Sequence, residues 1–131
     1  GTSADAPALG AVYKLAEDVR VPRMKWSEGK RTLPGTKQVY RVERNGVFEY
    51  DTIAMASEEG VEGRPLLGQV MRAGERLAAS PPLEAIRERV RETLAALPRA
   101  LLALDGPQVE YPVRVSDGMR KLVATSKAPG G

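Results

Sequence analysis

The chain contains neither cysteine nor histidine, and only one tryptophan and one phenylalanine, among 131 residues. Without cysteine there is no disulfide framework, no thiol nucleophile and no Cys/His zinc site; without histidine the usual general base of neutral pH is missing. Chemistry done by this chain therefore falls to carboxylates, lysines or backbone groups. Aromatic residues make up 5%, which argues against a reader of single-stranded nucleic acid, because such proteins stack bases on aromatic rings. No apolar run approaches the roughly 20 residues that span a bilayer, so no membrane partner is expected. The net charge of +3 and pI near 9.4 attract phosphates but fall short of the dense Lys/Arg arrays of nucleic-acid binders. Walker loops, dinucleotide fingerprints, nucleophile elbows, HExxH and EF-hand patterns are absent as well.

What is present suits one globular domain. A hydrophobic fraction of 42% and a charged fraction of 28%, at this length, give a soluble chain able to bury a core. Gly1-Thr2-Ser3 opens without an initiator methionine and reads as a piece of a longer protein. Residues 1–10 read as a loop, 11–126 as a single β-rich α+β domain and 127–131 as a disordered tail. Two strands are expected at 11–17 and 23–27 with a short connection over 18–22, Met24 and Trp26 sharing a face. Trp26 suits a core anchor at a sheet edge better than a base-stacking platform. Gln38–Arg44 and Val47–Ala54 flank Asn45-Gly46, the dipeptide that supplies positive φ at both central residues of a type I′ turn, and so form a hairpin. An acidic loop over 57–63 leads to a further strand at 65–72, making 11–72 mostly antiparallel sheet.

After Ser80 the period changes. Leu83, Ile86, Val90, Leu94, Leu97 and Leu101 recur every three or four residues, an amphipathic helix capped by Ser80, with Pro81 in its first turn. Pro98 stops it near Leu97, leaving 99–104 for a further turn. A last strand over 109–115 precedes a short helix at 117–125, with Ser116 as its cap and Met119, Leu122 and Val123 inward. Strands first and helices later make an α+β arrangement.

The stretch from Arg23 to Arg41 sets six lysines and arginines against a single acid, Glu28, around two glycines and Pro34. Cationic side chains on a Gly-punctuated turn suit a phosphorylated ligand, held by charge-assisted hydrogen bonds; they equally suit a solvated basic hairpin. Gly1-Thr2 offers a backbone N–H and a hydroxyl to an anion. Asp5, Asp51, Glu58 and Glu59 read as solvated loop acids, with no general acid/base pair among them. From the residues alone, a small basic module for phosphate-bearing partners, RNA included, and a structural or dimerisation domain stay open.

The order Pro7-Ala-Leu-Gly-Ala-Val-Tyr-Lys-Leu15, Arg23-Met-Lys25, Ser27-Glu-Gly-Lys30 and Thr32-Leu-Pro-Gly-Thr-Lys-Gln38 resembles the C-terminal part of nicotinate phosphoribosyltransferases. The resemblance continues through Val47–Ile53 and Tyr111–Ser116. It implies a parent enzyme of NAD biosynthesis, a glycosyltransferase and by its ATP coupling also a ligase, in the cytoplasm. That enzyme makes nicotinate mononucleotide and pyrophosphate from nicotinate and phosphoribosyl pyrophosphate. ATP hydrolysis is coupled through a phosphorylated histidine, which this histidine-free chain does not carry, and Mg2+ assists at the pyrophosphate. The implied architecture is a type II phosphoribosyltransferase fold, an incomplete α/β barrel joined to a β-rich domain to which this segment contributes. Its partner would be the barrel domain, within a homodimer. The resemblance carries phosphate binding onto Gly1 and Thr2, and electrostatic support onto Lys14, Arg23, Lys25 and Lys30. It assigns no catalytic or metal-binding residue to the segment, which is expected to be inactive alone and to bind neither Mg2+ nor ATP by itself.

Overall fold

A computed structural model describes residues 14–25, 32–103, 106 and 109–126. Its strands are β1 (Glu17–Asp18), β2 (Val21–Pro22), β3 (Lys37–Arg44), β4 (Val47–Met55), β5 (Arg64–Pro65), β6 (Met71–Arg72), β7 (Glu75–Arg76) and β8 (Val113–Val115). Two helices, α1 (Leu83–Ala95) and α2 (Asp117–Thr125), and a 3-10 turn over Arg99–Leu102 complete the order. The architecture is α+β, as the change of period predicts.

The hairpin of β3 and β4 is built as the Asn-Gly signal requires: Asn45 and Gly46 take φ of 53° and 76°, and the strands pair antiparallel from Lys37↔Met55 to Arg44↔Val47. This hairpin is the centre of a four-stranded sheet in the order β5-β3-β4-β8. The outer strand β8 runs parallel to β4, Asp51↔Val113 to Ile53↔Val115, so the sheet is mixed. A parallel neighbour needs a long crossover, and the segment holding α1 supplies it.

Three expectations shift. The strand foreseen at 11–17 lies partly outside the described residues, and within them only Glu17–Asp18 pairs, with Val21–Pro22. The return is made at Val19 and Arg20, both at positive φ (46° and 62°) without a glycine to announce it. Pairing at 23–27 is therefore not seen over 23–25, and Trp26 lies outside the described residues. The strand foreseen at 65–72 breaks into β5, which pairs with β3 at Tyr40 and Arg41, and β6, which turns at Ala73-Gly74 to pair with β7. Pro65 has no N–H to extend a ladder, which confines it to a short edge strand. The loop entering β5 passes so close to β3 that a Cβ on Gly63 (φ 112°) would stand 2.7 Å from the Arg41 carbonyl oxygen; only glycine fits there.

Helix α1 starts after Pro82, not at Ser80 as the cap signal suggested, and it has no side-chain cap. A residue preceding proline is held out of the helical region, so Ser80 and Pro81 stay outside the helix. Ser80 Oγ instead accepts from the Arg76 guanidinium. At its other end α1 stops at Ala96, two residues before Pro98. Helix α2 follows the sequence reading: Ser116 Oγ accepts from the Met119 N–H at 3.1 Å.

The buried hydrophobic residues described are Val42, Phe48, Tyr50, Ala54 and Met119. Met119 is 0% exposed, while Leu122 and Val123 are half-buried. No residue of α1 is buried, so the apolar stripe exists but does not face the core that its pattern predicts. Among the described residues no helix is long and apolar enough to cross a membrane.

Candidate functional site

Of the cationic and phosphate-binding positions expected, Gly1, Thr2 and Lys30 lie outside the described residues. Lys14, Arg23 and Lys25 flank the small β1–β2 hairpin, and all three are exposed. Arg23 faces Asp18 at 3.6 Å, both about half exposed, a pairing worth little in water. The backbone around them is tightly tied. The Ala16 carbonyl accepts from the N–H groups of Arg23 at 2.8 Å and Gly35 at 2.6 Å. Glu17 Oε2 accepts from the Thr36 N–H at 3.1 Å and its hydroxyl at 3.0 Å. The Lys25 N–H donates to Thr32 Oγ1 at 3.3 Å.

Lys37 is the residue that sequence reasoning passed over. Its ammonium donates to the carbonyls of Leu33 at 2.9 Å and Gly35 at 2.6 Å. Burial lowers its pKa, and the charge of Glu17 partly opposes this. Gly35, at φ 74°, sits so near α2 that a Cβ would lie 3.4 Å from Leu122 Cδ2. The segment Thr32-Leu-Pro-Gly-Thr-Lys-Gln38 is thus a clasp that fastens the cationic hairpin to the sheet. The only advance signal was its high content of turn residues. Beside the clasp lies an open, largely apolar groove of about 510 Å³, lined by Leu33, Val39, Ile53 and Leu67 with Lys14 and Lys37 at its rim.

A second constellation lies inside the sheet. Asp51 accepts both Arg41 hydrogen bonds, from Nε at 2.8 Å and Nη2 at 2.7 Å, and a third from the Tyr111 hydroxyl at 3.0 Å. The Arg41 guanidinium also stands 4.5 Å from the Phe48 ring centroid. The hydrogen bonds from Arg41 hold the Asp51 carboxyl below the usual carboxylate range, against the effect of burial. Tyr111 is raised, first by burial and then by its bond to Asp51. Asp51 is thus a buried strand residue, not the solvated loop acid its composition suggested. On the same sheet, Arg114 lies 3.5 Å from the centroid of Tyr50, whose hydroxyl donates to Glu62 at 2.7 Å.

Glu58 is the third departure. Its carboxylate accepts from the Ser116 hydroxyl at 2.6 Å and the Gly118 N–H at 3.2 Å, filling the place at the α2 N-terminus where the helix dipole favours an anion. A Cβ on Gly118 would come within 2.7 Å of that carboxylate. Glu58→Gln, which drops the charge and keeps one of the two accepting oxygens, is expected to cost about 0.5–1.5 kcal/mol. Glu58→Ala, which orphans the Ser116 hydroxyl, is expected to cost about 1–2 kcal/mol. Urea midpoints at constant slope would read the difference.

These polar groups are engaged in holding structure. Asp51 and Glu58 are each bonded to protein donors on both oxygens, and among the described residues no three acids converge as a metal would require. The described residues therefore do not fit Mg2+. What they offer chemically is positive charge, from Lys14, Arg23 and Lys25 on a firmly anchored hairpin.

Residues 59–123 match the family model of the nicotinate phosphoribosyltransferase C-terminal domain. Over 114 residues the chain is 41% identical to nicotinate phosphoribosyltransferase pncB2 of Mycobacterium tuberculosis, covering 86% of this chain and 24% of that protein. The nicotinate phosphoribosyltransferase of Mus musculus is 31% identical over 149 aligned residues, covering 95% of this chain and 28% of the relative. The crystal structure of human nicotinic acid phosphoribosyltransferase superposes with a TM-score of 0.77 at 26% identity, over 92% of this chain and 28% of that one. The chain spans about a quarter of the length of the curated relatives it matches.

Proposed function

We propose that this chain, which belongs to the nicotinate phosphoribosyltransferase family and carries its C-terminal domain, completes an enzyme of NAD biosynthesis whose reacting groups lie mainly in the rest of the polypeptide. The observation that carries this reading is the 41% identity over 86% of the chain. The whole enzyme joins nicotinate to the anomeric carbon of phosphoribosyl pyrophosphate and releases pyrophosphate, with ATP hydrolysis coupled to the transfer. Its rate comes from holding the nicotinate nitrogen in line with that carbon, and from cations placed where charge builds on the leaving pyrophosphate. Mg2+ would neutralise charge on the pyrophosphate, held by residues outside this segment.

In this reading Gly1 and Thr2 hold a phosphate of the donor, through an N–H and a hydroxyl. Lys14, Arg23, Lys25 and Lys30 add positive potential around it, and the clasp at 32–38 keeps their hairpin in place. The working enzyme is a cytoplasmic homodimer, and the segment alone has no activity.

The test is nicotinate mononucleotide formation by the intact parent, with nicotinate, phosphoribosyl pyrophosphate, ATP and magnesium. Product is expected from the parent and none from the 131-residue segment. A parent that forms no product would sink the proposal.

A further inference from the structure

Helix α1 presents its apolar side chains to solvent. Leu83, Ile86, Val90 and Leu94 form one stripe; Ile86 is half-buried, while Leu83, Val90 and Leu94 are 54%, 49% and 50% exposed. The helix reaches its own hairpin at its C-terminal end. A groove of about 520 Å³ separates Phe48 and Gly46 on the hairpin from Arg89, Glu92, Thr93 and Ala96 on the helix side, and the Phe48 N–H donates to the Ala96 carbonyl at 2.8 Å. At about 100° per residue, that polar face lies roughly a third of a turn from the apolar stripe. A second apolar groove, of about 430 Å³ and lined by Val70, Met71, Ala79 and Pro81, lies just ahead of the helix in the chain. Val70 and Met71 in it are 72% and 54% exposed. Exposed apolar surface rimmed by polar residues marks an interaction site.

The charges beside the stripe choose the occupant. Arg87 and Arg91 follow one edge of it, with Glu84 beyond them and Glu88 paired to Arg91, and Arg89 follows the other. Pairing α1 with α1 of a second copy, parallel or antiparallel, would set arginine against arginine across both edges, and like charges at such an interface disfavour the pair. The complementary surface is apolar with carboxylates at its margin. Polypeptide is available to supply it, because the relatives are about four times as long as this chain.

We propose that the α1 stripe Leu83–Ile86–Val90–Leu94 is the surface through which this segment docks on the rest of its own parent polypeptide, against an apolar face edged by carboxylates that meet Arg87 and Arg91. The proposal rests on the reading of the chain as part of a longer enzyme and names the face that joins the two parts.

Thiol labelling of the intact parent tests it, read by mass spectrometry on the α1 peptide, since this segment has no cysteine of its own. Leu94→Cys is expected to react with a maleimide at least about tenfold more slowly in the native protein than after unfolding in urea, whereas Glu88→Cys, on the opposite face, is not protected. Val90→Cys repeats the reading should Leu94→Cys disturb the fold. Protection independent of protein concentration supports intrachain cover, whereas protection lost on dilution assigns the face to a second copy and overturns the proposal. Equal reaction of both thiols in the native parent overturns it too. Adding Arg87→Glu and Arg91→Glu is expected to raise labelling of Leu94→Cys severalfold, and no change would remove the acidic margin. Labelling reads the docking whatever reaction the parent catalyses, so a protected thiol in a protein without nicotinate turnover would refute the assigned activity and leave the docking face standing.

Discussion

Asp51→Ala is expected to lower stability by about 2–3 kcal/mol, since it strips the counter-charge from a largely buried guanidinium. The Arg41 and Asp51 side chains are 23% and 11% exposed, so water compensates part of the loss at Arg41 but little of it. The substitution also removes the acceptor of the Tyr111 hydroxyl, detaching the residues just ahead of β8 from the hairpin. A urea titration reads the effect as a lower midpoint. A change below about 0.5 kcal/mol would mean that the pair contributes no more than a surface ion pair.

The same site gives the chain a pH dependence with a defined sign. Asp51 titrates lower in the folded state than in the unfolded chain, chiefly through its hydrogen bonds from Arg41. Its contribution is therefore fully present above the unfolded value near 3.9 and is lost as the pH falls through the folded value. Melting temperatures measured between neutral pH and about pH 3 should fall more steeply for the native sequence than for Asp51→Ala. Parallel curves would show that Asp51 is not the group that titrates.

Met119→Ala is expected to cost about 2–4 kcal/mol, the range for truncating a large aliphatic side chain in a core. Met119 is fully buried on α2, the helix whose first turn is fixed by Ser116 and Glu58. With few other buried hydrophobic residues around the sheet, the cavity has little to collapse into it. The denaturant slope should stay constant while the midpoint falls. A loss under about 1 kcal/mol would show that α2 is held by its cap rather than by packing.

The parts of this molecule legible in the sequence are those controlled by near neighbours. Asn45-Gly46 announces the hairpin because two adjacent residues must reach positive φ. Pro98 stops α1, and Ser116 caps α2, for reasons contained within one turn of chain. Val19 and Arg20 turn without glycine, and so the connection expected over 18–22 closes to two residues, with Val21–Pro22 as its return strand. Paired prolines outweighed the cap signal at Ser80. The polar sites were hidden for a different reason: Asp51 and Tyr111 are 60 residues apart and Glu58 and Ser116 are 58 apart. No periodicity or local spacing links such pairs.

The block from Arg23 to Arg41 holds both lessons. Its order of residues was enough to point to a phosphoribosyltransferase family, and its charge to suggest a phosphate. Only the tertiary structure decided that Thr32 to Gln38 is a clasp, with Lys37 turned onto two carbonyls and Gly35 wedged beside Leu122. The apolar stripe of α1 divides the same way. Its spacing determined that a helix forms and that one face seeks cover, because periodicity follows from the chain's own geometry. Whether that face finds cover depends on the elements that lie alongside, and here the β3–β4 hairpin reaches α1 only at Ala96 and leaves Leu83, Val90 and Leu94 about half exposed.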